Sequence, residues 1–373
     1  MKYRVFILCS GLGRINRGFE SFSDECFRAL SQFPTLDVHL FQGGGKREKH
    51  RRIVWNMHRN SFIAKLIGKF AMRDSYFVEQ VSFGISILPV IILNRPHVIY
   101  LSDATLANFL WHAKRLLKFK AKIILSNGAP FSPPYPHHDV LQQVVPFEFE
   151  IGRNSDSASD NQVLLPYGFN FTSPPCPTSK EQLRNQLKLP GDRILLLSVG
   201  AINNTHKRMG YLIEELASLN TPRPYLIILG QRDAESDSLE QIAIDRLGAE
   251  HFEFRTVPHS HVQMYYEASD IFVLPSLTEG FGRSIVEAMG SGISVLCHDA
   301  PHTRYILGEF GIYGDFTKSG ILMDLLLTTI SSRAFANRSS EQVLQARQRF
   351  SWETLAQEYE KFLIHSAEVS CQA

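Results

Sequence analysis

The stretch "LPSLTEGFGRSIVEAMGSG", Leu274 to Gly292, holds two glutamates with seven residues between them, Glu279 in a glycine-flanked loop and Glu287 in the helix that follows. Gly280 and Gly282 let backbone N–H groups come close to an anion, and the helix N-terminus adds its positive dipole. An ionised carboxylate accepts at two oxygens, which matches two neighbouring sugar hydroxyls. Glu287 lies one turn after Arg283 and Ser284, and its side chain leans back toward the N-terminal end, so the two carboxylates can converge on one cleft. Taken alone, the same residues fit equally well as a loop carboxylate and a solvated helix carboxylate.

A second chemistry-bearing stretch is "SVGAINNTHKRMGYLIEEL", Ser198 to Leu216. Lys207 and Arg208 fall at a helix N-terminus, where the macrodipole disfavours cations unless an anion sits there. A diphosphate would supply that anion; two solvated loop cations are the alternative. A third stretch, "CSGLGRINRGFESF", follows the apolar run "YRVFIL" and suggests a dinucleotide cradle and hence an NAD(P)-dependent oxidoreductase. Gly11 and Gly13 fit that fingerprint, but the third glycine position is Asn16, which removes the close helix–strand packing the fingerprint needs.

These loops need strands and helices to hold them. Apolar runs of strand length alternate with amphipathic helical segments throughout, which predicts parallel α/β architecture. The first half offers "YRVFIL", "DVHLF", "HVIYL", "KIILS" and "QVLLPYG"; the second offers "RILLLSVG", "PYLIILG", "FEFRTV", "DIFVLPS" and "ISVLCH". Two sheets are implied. Between them "PYGFNFTSPPCPTSK" is rich in proline and serine and reads as a linker.

The bulk composition sets bounds. At 373 residues the chain exceeds what one core supports, so two domains are expected. Hydrophobic residues at 44% and charged residues at 20% describe an ordinary globular protein rather than a disordered one. A net charge of +2 gives no case for nucleic acid. Five scattered cysteines without a CxxC pair argue against a zinc site or a disulfide framework and fit a reducing cytoplasm. The opening "MKYRVFILCSG" is too short in its apolar part for a signal peptide, and Val81 to Leu93 is interrupted by Pro89 and too short to cross a membrane, so the expected location is cytoplasmic, with any membrane contact peripheral.

Charge is uneven, however. From Lys46 to Arg73 there are nine Lys or Arg and one acid, Glu48, interleaved with Trp55, Phe62, Ile63, Leu66, Ile67 and Phe70, and "WHAKRLLKFKAK" repeats the flavour. The plainer expectation is core-facing helices with solvated basic faces; the alternative is an anionic membrane surface or acidic ligand.

The Glu279 and Lys207 stretches together resemble the C-terminal domain of retaining GT-B glycosyltransferases, in particular the large family 4 of nucleotide-sugar-dependent enzymes. The resemblance rests on "EGFGRSIVEAMGSGISVL", "VGAINNTHKRMGYLIEEL", "HVQMYYEASDIFVLPS" and the closing "RFSWETLAQEYEKFL". It covers about half the chain with high specificity and the N-terminal half in outline. It implies an α/β GT-B fold, two Rossmann-like α/β/α domains facing each other across a cleft. Residues 1–170 would form the acceptor-side domain with helix 352–373 packing back on it, 171–180 a linker, and 181–351 the donor domain.

By position, the resemblance implies Lys207 on the donor diphosphate, Glu279 on the hydroxyls of the donor sugar and Glu287 on the ribose. The amides of Phe281, Gly282 and Arg283, with Gly280 in the same loop, would lie near the phosphates or sugar, and Val257 near the nucleobase. In the other domain Gly11, Gly13 and Gly18 would form a thin wall against the donor. Two departures stand out. An Arg frequent six residues before the phosphate Lys is Ala201 here, so Arg208, Arg14 or Arg17 would supply the second cation. A frequent active-site His after a central N-terminal strand is replaced in "KIILSNGAPF" by Asn127 and Gly128, with His137 and His138 as substitutes.

The implied activity is retaining transfer of a hexose-type sugar from a nucleotide-diphosphate sugar, UDP first and GDP second, to a hydroxyl acceptor. No Asp-x-Asp motif occurs, so neither a cofactor nor an essential metal is expected. His259 and His261 have no carboxylates at ligand spacing in sequence and are expected to be ordinary solvated or satisfied histidines. A non-catalytic nucleotide-sugar-binding protein of the same fold is the main alternative.

Overall fold

The computed structural model describes residues 2–15, 18–129, 131–155, 161–171, 179–219, 223–333 and 339–368. The chain divides into two compact units, Met1–Asn170 with Phe350–Ala373, and Phe171–Arg349. Most of the expected linker, 172–178, lies outside the described residues.

The first unit is built on a seven-stranded, wholly parallel sheet. Its strands are β1 (Tyr3–Cys9), β2 (Leu36–Gln42), β3 (Arg51–Ile53), β4 (Val98–Leu101), β5 (Lys122–Asn127), β6 (Val140–Gln143) and β7 (Gln162–Leu164), in the order β3-β2-β1-β4-β5-β6-β7. β1 pairs on both sides, Val5 opposite Val38 and Val98, and its near-continuous apolar run is what a strand covered on both faces requires. The crossover helices are α1 (Gly18–Leu30), α2 (Phe62–Phe70), α3 (Ser75–Asn94), α4 (Ala104–Leu117) and α5 (Pro146–Arg153). Phe83, Ile87 and Ile91 of α3 and Leu106, Ala107 and Leu110 of α4 pack with Phe6, Leu8, Ile99 and Leu125 of the sheet.

The expectation of core-facing basic helices holds for α4 and fails for α2. In α2 only Ala64 and Gly68 are buried, while its large apolar residues stand exposed. The reason is local: the helix approaches its own unit through its two smallest residues. The apolar stretch around Pro89 also belongs to a longer helix than its sequence suggests. With Asp74 as N-cap, α3 runs for 20 residues, long and apolar enough by composition to cross a membrane, yet its inner face is core.

The second unit carries a six-stranded parallel sheet of β8 (Leu195–Val199), β9 (Tyr225–Leu229), β10 (Phe252–Arg255), β11 (Ile271–Leu274), β12 (Ser294–His298) and β13 (Gly311–Gly314), ordered β10-β9-β8-β11-β12-β13. Its helices are α6 (Lys180–Leu187), α7 (Met209–Ala217), α8 (Ser236–Leu247), α9 (His259–Ala268), α10 (Arg283–Gly290), α11 (Pro301–Leu307), α12 (Ile321–Ser332) and α13 (Ser340–Phe350). The last helix, α14 (Trp352–Glu368), returns to the first unit. An aromatic cluster holds it there: Phe22 stacks on Tyr167 at 4.0 Å and on Trp352 at 5.8 Å, and the Tyr359 hydroxyl donates to the Pro166 carbonyl at 2.9 Å.

Candidate functional site

In each sheet the strand order reverses direction once, between β8 and β11 in the second unit and between β1 and β4 in the first. Ligands of open parallel sheets bind outside the carboxyl ends of the strands at such a reversal. In the second unit the two loops that leave the reversal are the two the sequence singles out, one carrying Lys207 and the other Glu279.

The β8 loop is shaped for Lys207. Gly200 follows the strand, and a Cβ there would sit 3.2 Å from the lysine stem, so glycine lets the chain lie flat against the backbone. The Asn203 side chain accepts from the Lys207 amide at 3.0 Å and from the His206 amide at 3.2 Å, fixing the turn. The Lys207 ammonium then forms an ion pair with Glu279 Oε1. Its neighbour Arg208 is arranged otherwise. It sits at φ 51° in the left-handed region, donates to the carbonyls of Phe316 (2.8 Å) and Pro275 (3.4 Å), and lies 4.5 Å over the Tyr211 ring. Those contacts brace the β8 and β11 loops, so the geometry does not support Arg208 as the replacement phosphate cation.

After β11, Glu279 and Gly280 lead to buried Phe281 and to Gly282, which caps α10 at φ 78°, a conformation that side chains other than glycine rarely adopt. Glu287 follows on α10 with a surround that adjacent residues alone do not reveal. The Tyr266 hydroxyl donates to its Oε2 at 3.2 Å, His259 Nε2 lies 3.4 Å from Oε1, and Arg283 is 3.9 Å away. Burial works against the charge on Glu287, but the His259 and Tyr266 hydrogen bonds and the Arg283 guanidinium hold its carboxyl below the usual range. His259, expected to be a solvated or satisfied histidine, has Glu287 as its partner.

This depressed pKa fixes a sign. The stabilisation is fully present above the ordinary glutamate value of about 4.3 and is lost as pH falls through the lower native value. Glu287→Gln is therefore expected to lower Tm at neutral pH and to match the parent protein in strong acid; a Tm difference that does not change with pH would contradict it.

Two further groups near this loop were not legible in the sequence. His302, on α11 beyond β12, is buried next to the Glu279 charge, and its Nε2 has no hydrogen-bond partner among the described residues. Burial holds its pKa down, against the pull of Glu279. The Ser276 hydroxyl, two residues past β11, is likewise buried without a partner among the described residues. Orphaned donors are costly, and a hydroxyl- and oxygen-rich ligand would satisfy them. Val257 follows β10 and is half-buried, with Thr256 donating to the Gly230 carbonyl at 2.6 Å.

In the first unit the expected residues scatter. Gly13 has φ 83° and is packed on Gly44, where an added Cβ would come within 2.4 Å of backbone. Gly13→Ala is expected to destabilise the protein by about 1–3 kcal/mol in chemical denaturation, from overpacking and a disfavoured φ. Arg14 is exposed and donates to Asn56 at 2.8 Å, Gly18 begins α1, and Arg17 lies outside the described residues. The Asn127 side chain donates to Gln143 (2.8 Å) and accepts from the Phe131 amide (2.9 Å), so it pins the loop after β5 and is not free to read an acceptor. His137 is exposed beside Trp111 and His112, and His138 turns its Nδ1 to the Pro136 carbonyl at 2.6 Å.

What occupies the β1/β4 reversal instead is a buried ionic network. Arg59 donates to both Glu79 oxygens (2.6 and 3.0 Å), the Ser10 hydroxyl to Glu79 (3.1 Å) and the Tyr76 hydroxyl to Asp103, while Arg59 lies 4.1 Å over the Tyr76 ring. Glu20 reaches back to Gly11, where a Cβ would stand 2.4 Å from its Oε1. Burial pushes the Asp103 carboxyl above its ordinary value. Elsewhere in this unit Asp37, His39 and His50 are near enough to share a metal ion, but Asp37 already accepts from Arg4 at 2.8 Å and lies 3.0 Å from His39 Nε2.

Comparison with known proteins bears on the fold and on the second unit. Residues 179–324 match the family model described as glycosyl transferases group 1. The chain is 29% identical over 142 residues to the O-antigen chain mannosyltransferase B of Escherichia coli, which is 37% of this chain and 37% of that protein, so the match spans about a third of the relative's length. Sucrose-phosphate synthase from Thermosynechococcus elongatus is similar over 98% of this chain and 99% of its own, with a TM-score of 0.80 and 17% identity. Anabaena HepE, crystallised with UDP and glucose, is similar over 97% and 100% with a TM-score of 0.74 and 17% identity.

Proposed function

We propose that this chain, which has the GT-B fold and a group 1 glycosyl transferase match across its second unit, transfers a hexose-type sugar from a nucleotide-diphosphate sugar to a hydroxyl acceptor with retention of configuration. The observation that carries the proposal is the Lys207–Glu279 pair at the β8/β11 reversal. In this reading the cation meets the leaving diphosphate, and the carboxylate the sugar hydroxyls. UDP is the first choice of nucleotide, in keeping with the ligand of the similar HepE structure.

In this reading the bond from the sugar C1 to the diphosphate oxygen breaks, and the acceptor oxygen bonds to C1 on the same face. The acceptor proton passes to the departing diphosphate, so the protein contributes positioning and charge stabilisation rather than a proton shuttle. Lys207 and the amides at the start of α10 stabilise the charge that builds on the diphosphate, without calling on a metal. Glu279 holds the sugar and Glu287 the ribose.

The test is donor hydrolysis without acceptor across UDP-, GDP- and ADP-sugars, with NMR of the released sugar to read its anomeric configuration. Release of the retained anomer from one donor is expected. Saturable nucleotide-sugar binding with no turnover on any donor or acceptor would leave a binding protein and remove the enzyme reading.

A further inference from the structure

We propose that α2 is an interfacial anchor that seats the first unit on an anionic lipid surface. It follows that the hydroxyl acceptor is carried by that surface; this second clause rests on the glycosyl-transfer reading, whereas the anchor does not.

At 3.6 residues per turn, Phe62, Leu66, Phe70, Ile63 and Ile67 fall on one continuous arc of about 140°. All five are exposed, Phe62 by 78%, Ile63 by 60% and Phe70 by 82%. Ala64 and Gly68 take the opposite face and are the buried residues of the helix. At Gly68 a Cβ would lie 2.8 Å from the Arg73 carbonyl oxygen, so glycine permits the tight return into α3. Small residues inward and large apolar residues outward reverse the usual pattern of a helix on a water-facing surface. Met72, just beyond the helix, is 91% exposed and extends the same apolar end.

Charge identifies the occupant. Lys65 and Lys69 border the arc, and neither pairs with a carboxylate among the described residues. The nearest acid in sequence, Asp74, is engaged in capping α3 through the Phe77 amide at 2.8 Å. Lys46, Arg47, Lys49 and Arg52 are also exposed on the preceding segment. An anionic bilayer offers acyl chains to the phenylalanines and headgroup phosphates to the lysines. A second copy would set the same lysines against each other. At about 13 Å, nine helical residues lie in the interface and do not cross it.

The test is flotation of the full chain with phosphatidylcholine vesicles, with and without phosphatidylglycerol. Binding is expected with the anionic vesicles and is expected to fall with salt. Phe62→Ser with Phe70→Ser should weaken it roughly tenfold or more, and Lys65→Glu or Lys69→Glu roughly fivefold each. All these variants should keep the parent Tm and the parent rate of donor hydrolysis, since the substituted side chains are exposed and belong to the first unit, whereas the donor loops belong to the second.

Failure to float with either vesicle, or flotation unchanged in the double phenylalanine variant, would overturn the proposal. So would a concentration-dependent dimer that the same variant dissociates. Vesicle binding by a chain that hydrolyses no donor would keep the anchor and discard the transfer reading; the reverse result would keep transfer and discard the anchor.

Discussion

Replacing Lys207 with alanine is expected to lower donor hydrolysis and sugar transfer about 10²–10³-fold, mostly in kcat, which is the usual cost of losing one group that meets developing charge. Lys207 has the features such a group needs. Its backbone is pinned by Asn203, its stem lies against Gly200, and its ammonium already faces a carboxylate, so little reorganisation is required when the diphosphate departs. Arg208 cannot take over without abandoning the Phe316 and Pro275 carbonyls. Lys207→Arg should recover only part of the loss, because a planar guanidinium presents its charge differently from a compact ammonium. A purely structural ion pair would give the opposite pattern, a lower Tm with kcat per folded molecule unchanged. Steady-state kinetics on one hydrolysed donor, read beside thermal unfolding, separate the two.

The donor half was readable because its chemistry is contiguous. Each key residue lies in the loop or helix that directly follows a buried strand, so "DIFVLPS" running into "LTEGFG" places Glu279 in the loop after β11 without knowledge of any partner. Glu287 was found by helix period, but its partners Tyr266 and His259 come from the preceding helix, and a spacing rule does not reach them. His302 is four residues past β12, in "CHDAPHTR", where only its position beyond a buried strand hinted at it.

The first unit was harder for a physical reason. Its ionic network draws Ser10, Arg59, Tyr76, Glu79 and Asp103 from four separate segments, each ordinary when read alone. Asn127 drew attention because it stands where the resembled family often has an active-site His, yet its side-chain amide closes a turn. The strands that escaped the sequence reading, β3, β6 and β13, are three or four residues long. β3 is arginine-rich, β6 holds two glutamines and β13 begins and ends in glycine, so none presents the apolar run by which the others were recognised.

Glu279→Gln is the second large effect, an expected loss of about 10–10²-fold, the value of charge-assisted hydrogen bonds to the sugar. The substitution keeps shape and one acceptor oxygen, so the loop should fold as before. Its meaning comes from a double-mutant cycle with Lys207→Ala. If the two side chains act together on the same transition state, the double variant should lose less than the product of the single losses, since each single change already misplaces the other partner. Additive losses would mean that lysine and glutamate work on the donor independently, and that their ion pair belongs only to the unliganded protein. A Glu279→Gln protein with unchanged kcat and KM would remove Glu279 from the sugar altogether. Buried His302, whose Nε2 has no hydrogen-bond partner among the described residues, would then be the next side chain to test against the donor hydroxyls.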